Sequence, residues 1–155
     1  MLHAPRKLIL AIEAVLDIAY NAGGEPVQSS DITRRQGISR RYLEPVLQQL
    51  VRAGLLRGVR GPRGGYRLAR ERRRITLGDI TRVVLAMEDD GGGAANGSSG
   101  EPGSDLGRRI VRPIWAEMEA DMLARLDGVS MEDLCRRARK EGFESEAFRS
   151  LDFSI

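Results

Sequence analysis

The chain has little of the chemistry on which enzymes and secreted proteins depend. Its 155 residues include one cysteine, Cys135, and one histidine, His3. A lone cysteine closes no disulfide within the chain, so a disulfide scaffold is excluded. A single histidine near the start, without neighbouring ligands, offers no zinc site. There is no Ser/His/Asp set and no cluster of metal-ligating residues, which leaves an enzyme as the weakest function class. Nothing approaches the roughly 18 continuous apolar residues of a membrane span. Arg6 and Lys7 precede the apolar Leu8–Ile12 as in a signal peptide, but Glu13 and Asp17 cut that run short. The expectation is a cytoplasmic protein with no cofactor, no metal and no membrane partner.

What is present is charge, unevenly placed. Residues 1–87 carry 16 Lys/Arg and 7 Asp/Glu, whereas residues 88–155 carry 9 and 15, so the halves stand at +9 and −6. A basic front half suits a module whose affinity comes from neutralising phosphates, and an acidic back half stays off a polyanion. A solvated basic face is the plainer explanation of the same numbers.

The order of elements favours the first explanation. Leu8, Ile12, Val15, Leu16 and Ala19 recur at helical spacing, so an amphipathic helix runs from Pro5 to Asn21 and stops at Gly23-Gly24. Ser30 is placed to cap a short helix through Gln36, with Gly37 as the turn. Ser39 caps a second helix to about Ala53, ended by Gly54. This second helix buries Leu43, Val46, Leu47, Leu50 and Val51 and leaves Arg40, Arg41 and Glu44 free near its start. Pro45 falls inside it, which implies a bend or an irregular first turn. Two short strands, 55–60 and 66–69, flank Gly61-Pro62-Arg63-Gly64-Gly65, a turn whose glycines permit positive φ. A helix, a turn, a second helix and a glycine-tipped hairpin make a helix-turn-helix with a wing.

Beyond the wing, Thr76 and Asp79 form a capping pair for a helix over 77–87. Residues 88–107, rich in Gly and Ser, predict a flexible loop. Val111, Ile114, Trp115, Met118 and Met122 then mark a longer helix to about Leu126, with Pro113 near its start. Their stripe is broader than a small domain needs, which suggests a dimerisation helix; an intramolecular core is the alternative. Ser130 and Asp133 cap a last helix through Lys140, and the tail with Phe143, Phe148, Leu151, Phe153 and Ile155 is apolar enough to pack. The expected division is a winged domain at 1–87, the loop at 88–107, and the dimerisation helix with the C-terminal helix and tail at 108–155.

Several residues fit a DNA interface by type and position. Arg40 and Arg41 suit guanine O6 and N7 or a phosphate, and Ser39 with the helix amides suits a phosphate. Tyr42 either meets phosphate or a thymine methyl or packs between helices. Glu44 either accepts from cytosine N4 or pairs with Arg40 or Arg41. Arg60 and Arg63 flank a tip that Pro62 stiffens and Gly64-Gly65 allows close to a minor groove. Arg34, Arg35, Arg57 and Arg67 read as phosphate-facing or solvated. Cys135 shares a face with Met131, Leu134 and Ala138, which reads as core, with a redox thiol activated by nearby arginines as the minority reading.

Taken together, Ala14–Ala19, Ile38-Ser39 with Tyr42-Leu43-Glu44, Val59-Arg60-Gly61-Pro62 with Gly64–Ala69, and Ile75–Ile80 resemble the Rrf-two family of bacterial winged-helix regulators, the IscR/NsrR/CymR group. The resemblance implies a homodimer, paired by the long helix, whose two winged domains bind double-stranded DNA at a two-fold symmetric operator. Members that sense through an iron-sulfur cluster carry three closely spaced cysteines before the dimerisation helix; residues 88–107 here contain none. Cluster sensing is therefore not carried over. The expectation is a cluster-free regulator, a repressor, with an unknown small-molecule effector as a further partner. The competing function is a winged-helix interaction module that binds an acidic protein.

Overall fold

The computed structural model describes residues 4–91, 103–147 and 149. Helices α1 (Arg6–Asn21), α2 (Ser29–Gln36) and α3 (Arg40–Arg52) lead into a hairpin of β1 (Leu56–Val59) and β2 (Gly65–Leu68). A 3-10 turn at Arg72–Arg74 precedes α4 (Leu77–Gly91); α5 (Arg112–Asp127) and α6 (Met131–Lys140) follow. The fold is mainly helical with one small hairpin, a winged helix-turn-helix with a long helix beyond it, as the sequence led us to expect.

Local chemistry sets most of the boundaries. Gly37 ends α2 in the left-handed region at φ 65°, and Ser39 caps α3 by accepting from the Tyr42 amide at 3.3 Å. The helix α3 continues through Pro45, which has no amide to offer the Arg41 carbonyl. A wide π-type turn at Gly107–Val111 leads into α5 just ahead of Pro113, whose missing amide deprives the Arg109 carbonyl of its usual donor.

The expected cap at Ser30 is corrected. Helix α2 begins two residues earlier than a Ser30 cap would set it, at Ser29, with Gln28 in the cap position and no side-chain cap. The cause lies across the chain. Val27 and Tyr66 exchange amide bonds of 2.9 and 2.8 Å, adding a third extended segment to the hairpin and holding the chain straight until Gln28. Gly65 makes this possible, because a Cβ there would lie 2.3 Å from the Val27 carbonyl oxygen.

One core joins the elements. Ala11, Ala14, Val15 and Ile18 of α1 pack with Ile32 of α2, with Leu43, Leu47 and Leu50 of α3, and with Ile80 and Val84 of α4. Burying each large aliphatic side chain contributes roughly 1.5–3 kcal/mol. Met131 and Cys135 of α6 complete the same cluster, so α6 packs on the winged domain itself. Two adjacent capping boxes fasten it there. Thr76 and Asp79 exchange bonds of 3.0 and 3.1 Å, Ser130 and Asp133 do likewise at 2.9 and 3.2 Å, and the Leu77 and Met131 amides donate to Val129 and Ile75 carbonyls. The Ser130 donors hold the Asp133 carboxyl below its ordinary value.

Of the loop expected at 88–107, residues 88–91 belong to α4 and helix has resumed by Asp105; 92–102 lie outside the described residues. Phe143 does not pack as expected of the tail, being 67% exposed. The remaining tail phenylalanines, Leu151 and Ile155 also lie outside the described residues. No helix among the described residues is long and apolar enough to cross a membrane.

Candidate nucleic-acid interface

The start of α3 and the tip of the hairpin lie on either side of one cleft of about 530 Å³. Arg40, Glu44 and Gln48 line it from the helix; Val59, Arg60 and Pro62 line it from the hairpin. Arg40, Arg41, Tyr42, Arg60 and Arg63 are all exposed. The tip is closed by the Gly64 amide donating to Gly61 at 2.9 Å, and the Gln28 side chain reaches the Pro62 carbonyl at 3.5 Å. Segments separated in sequence thus form one basic rim.

Within the cleft, Arg40 and Glu44 pair at 3.2 Å, the alternative left open for Glu44. Both stay accessible, so the pair is a weak surface contact that a stronger partner can replace. Tyr42 is 40% exposed and is not packed between helices. Arg41, Arg60 and Arg63 have no hydrogen bond or ion pair among the described residues. Tyr66 forms the cleft floor and accepts from Gln48 at 3.3 Å. Burial, followed by the Glu44 charge, pushes its phenol above the ordinary value, so it remains neutral. Gln28, Ser30 and Gln48 were missed by the sequence reading. The period 40–44–48 along α3 was a usable signal for Gln48; nothing local marked the other two.

Arg35 is corrected. It is neither phosphate-facing nor solvated, but grips Asp17 of α1 with two bonds of 2.7 Å and Glu146 with one of 2.5 Å. The Asp17 bond dominates in raising the guanidinium pKa further above its ordinary value. Burial pulls the Glu146 carboxyl upward, but the Arg35 bond and charge outweigh it and leave Glu146 below its ordinary value. Arg34 pairs with Asp31 and Glu146 at 3.4 and 3.5 Å. Arg35 serves the scaffold, whereas Arg34 stays largely in solvent.

The candidate dimerisation residues stand apart from the core. Val111, Ile114, Trp115, Met118 and Met122 are between 50 and 62% exposed, and no residue of α5 is buried. The base of α5 is tied to α4 by a two-pronged Arg82–Asp127 pair at 2.7 Å. Cys135 is buried, and burial raises its thiol pKa despite the opposing bond from Arg72. The arginines proposed to activate it do not prevail.

A helix-turn-helix with a basic hairpin beside its second helix defines the class of winged helix-turn-helix DNA-binding proteins. The chain belongs to the Rrf2 family, described as iron-dependent transcriptional regulator, whose model matches residues 5–137. It is 37% identical over 125 residues to the HTH-type transcriptional regulator IscR of Aliivibrio salmonicida, covering 80% of this chain and 71% of the relative. Among solved structures, T. potens IscR superimposes with a TM-score of 0.70 at 31% identity, covering 93% of both chains. CymR, the global cysteine regulator of B. subtilis, follows at 0.65 and 27%, covering 88% of this chain and 98% of that one. The protein is a transcriptional regulator, not an enzyme.

The family description raises the question of iron. An iron-sulfur cluster is held by several thiolates, and the one cysteine of this chain is enclosed in the core beside α1. Among the described residues, no three His, Cys, Asp or Glu side chains are grouped to hold a metal. These residues do not fit a cluster.

Proposed function

We propose that the protein is a homodimeric repressor that binds a two-fold symmetric operator without an iron-sulfur cluster. The observation that carries this reading is the shared cleft, lined by Arg40 from the start of α3 and by Arg60 from the wing, with Arg41 and Arg63 exposed on the same two segments.

In this reading the start of α3 enters the major groove. Arg41 donates to guanine O6 and N7, and the free amides of the first turn with Ser39 hold a phosphate. Arg40 turns from Glu44 to the backbone, freeing Glu44 to accept from cytosine N4. The wing follows the sugar-phosphate edge, with Arg60 and Arg63 at the adjacent minor groove and Gly64 permitting close approach. The exposed face of α5 pairs with the same face of a second copy, setting two recognition helices about one helical turn apart on the DNA. A dimer seated over a promoter blocks polymerase in the cytoplasm without further machinery.

The test is selection of fragmented genomic DNA by purified, metal-free protein at near-physiological salt. A two-fold symmetric site should be bound on the order of 10³-fold more tightly than its scrambled counterpart. Equal affinity for the two would remove the reading.

A further inference from the structure

The hairpin has two faces, and the one that carries Tyr66 meets Gln48 of α3. Side chains alternate along paired strands, so Leu56, Gly58, Tyr66 and Leu68 share one face, and Arg57, Val59, Gly65 and Arg67 the other. Arg57 and Arg67 stand directly opposite each other in the register. Like charges so placed destabilise a strand pair. Arg67 donates to the Gly24 carbonyl at 2.7 Å, a neutral partner that leaves its charge uncompensated. The Arg57 side chain has no hydrogen bond or ion pair among the described residues.

These two arginines line a groove of about 790 Å³, bounded also by the end of α1 and by the chain that follows α6. Small-molecule sites commonly enclose roughly 300–1,000 Å³. Arg72 and Arg139 line it too, and both pair with one carboxylate, Glu132, at 3.3 and 3.1 Å. That triplet keeps one positive charge. Arg149 is matched by Glu144 at 3.3 Å. With Arg57 and Arg67, the groove therefore holds three positive charges in excess. The Tyr20 hydroxyl donates to the Phe143 carbonyl, which fixes an exposed aromatic ring at the rim.

We propose that this groove binds a small molecule carrying two or more carboxylate or phosphate groups. One anionic group bridges Arg57 and Arg67, relieving their repulsion, and the second meets Arg72 and Arg139. Guanidinium forks suit both groups, since each presents paired oxygens. The hairpin is a wall of this groove and of the cleft facing α3, so occupancy behind the wing braces the segment that carries Arg60 and Arg63. That coupling rests on the proposed DNA-binding function; the site itself does not.

The experiment is thermal unfolding of the full chain with citrate, pyrophosphate or chloride at matched ionic strength. At about 10 mM, citrate or pyrophosphate should raise the midpoint by about 3 °C or more over chloride. Whichever anion gives the larger shift names the group. Arg57→Ala/Arg67→Ala should lose the shift while Arg41→Ala keeps it; Arg57→Ala alone, at an exposed side chain without partners, serves if the double variant does not fold. No shift over chloride, or equal shifts in the wild type and the Arg57 variants, overturns the proposal. Operator titration with and without the anion then separates the two readings. A midpoint shift without any specific DNA binding keeps the site and removes the DNA-binding reading. A shift with unchanged operator affinity keeps the site and removes the coupling.

Discussion

Helices α3 and α5 are of similar length and both carry apolar residues at helical spacing, yet they spend them in opposite ways. Helix α3 buries Leu43, Val46, Leu47 and Leu50 and turns Arg40 and Arg41 outward. Helix α5 buries nothing and leaves Trp115, Met118 and Met122 in solvent. The difference separates two kinds of working surface. A helix whose apolar face is satisfied within its own chain offers its polar end to a ligand. A helix whose apolar face is unsatisfied offers a surface for association, because contiguous exposed apolar surface marks an interaction site; in the proposed dimer a second copy covers it.

The sharpest way to break this contrast is to charge α5. Met118→Glu/Met122→Glu should leave the helical content of the folded chain unchanged by circular dichroism, since neither side chain is in the core, yet give a sedimenting monomer. Operator affinity should then fall on the order of 100-fold or more, because two linked half-site contacts become one. Next comes the scaffold beneath α3. Arg35→Ala leaves Asp17, 11% exposed at its side chain, without its guanidinium, and should lower stability by about 2–3 kcal/mol in urea titration. DNA affinity measured on the folded variant should be unaffected.

At the exposed end of α3, Arg41→Ala should weaken operator binding by about 1–3 kcal/mol, and Glu44→Ala should relax base choice at one position by a similar amount. Unchanged base preference in the Glu44 variant would make its role the salt bridge with Arg40 alone. The smallest effect expected is acid sensitivity. Glu146 titrates below its ordinary value of 4.5 when folded; its contribution is therefore complete above pH 4.5 and is lost as pH falls through the lower folded value. Urea titrations from pH 3 to 7 should show Glu146→Gln lacking that part of the acid-induced loss.

Much of this contrast was legible in the sequence because it is local. Ser39, Gly37 and the spacing of Leu43, Leu47 and Leu50 specify α3 without reference to the rest of the chain, and the capping pairs at Thr76 and Ser130 mark the starts of α4 and α6. What escaped depends on segments far apart in sequence. Arg35 lies among other arginines in a polar helix, and only the fold brings Asp17 and Glu146 to it. The start of α2 moved because Val27 pairs with Tyr66, 39 positions away. Cys135 was read correctly as core by its period, but the core it joins, against α1, carries no local signal. Gln28 reaches the cleft for the same non-local reason.

The claim on which most depends is that the exposed face of α5 is covered by a second copy of itself. Sedimentation equilibrium of the wild-type chain at micromolar concentration without DNA tests it most directly. Twice the chain mass, reduced to the single mass by Met118→Glu/Met122→Glu, is the expected result. A wild-type monomer, or a dimer that survives both substitutions, would contradict it.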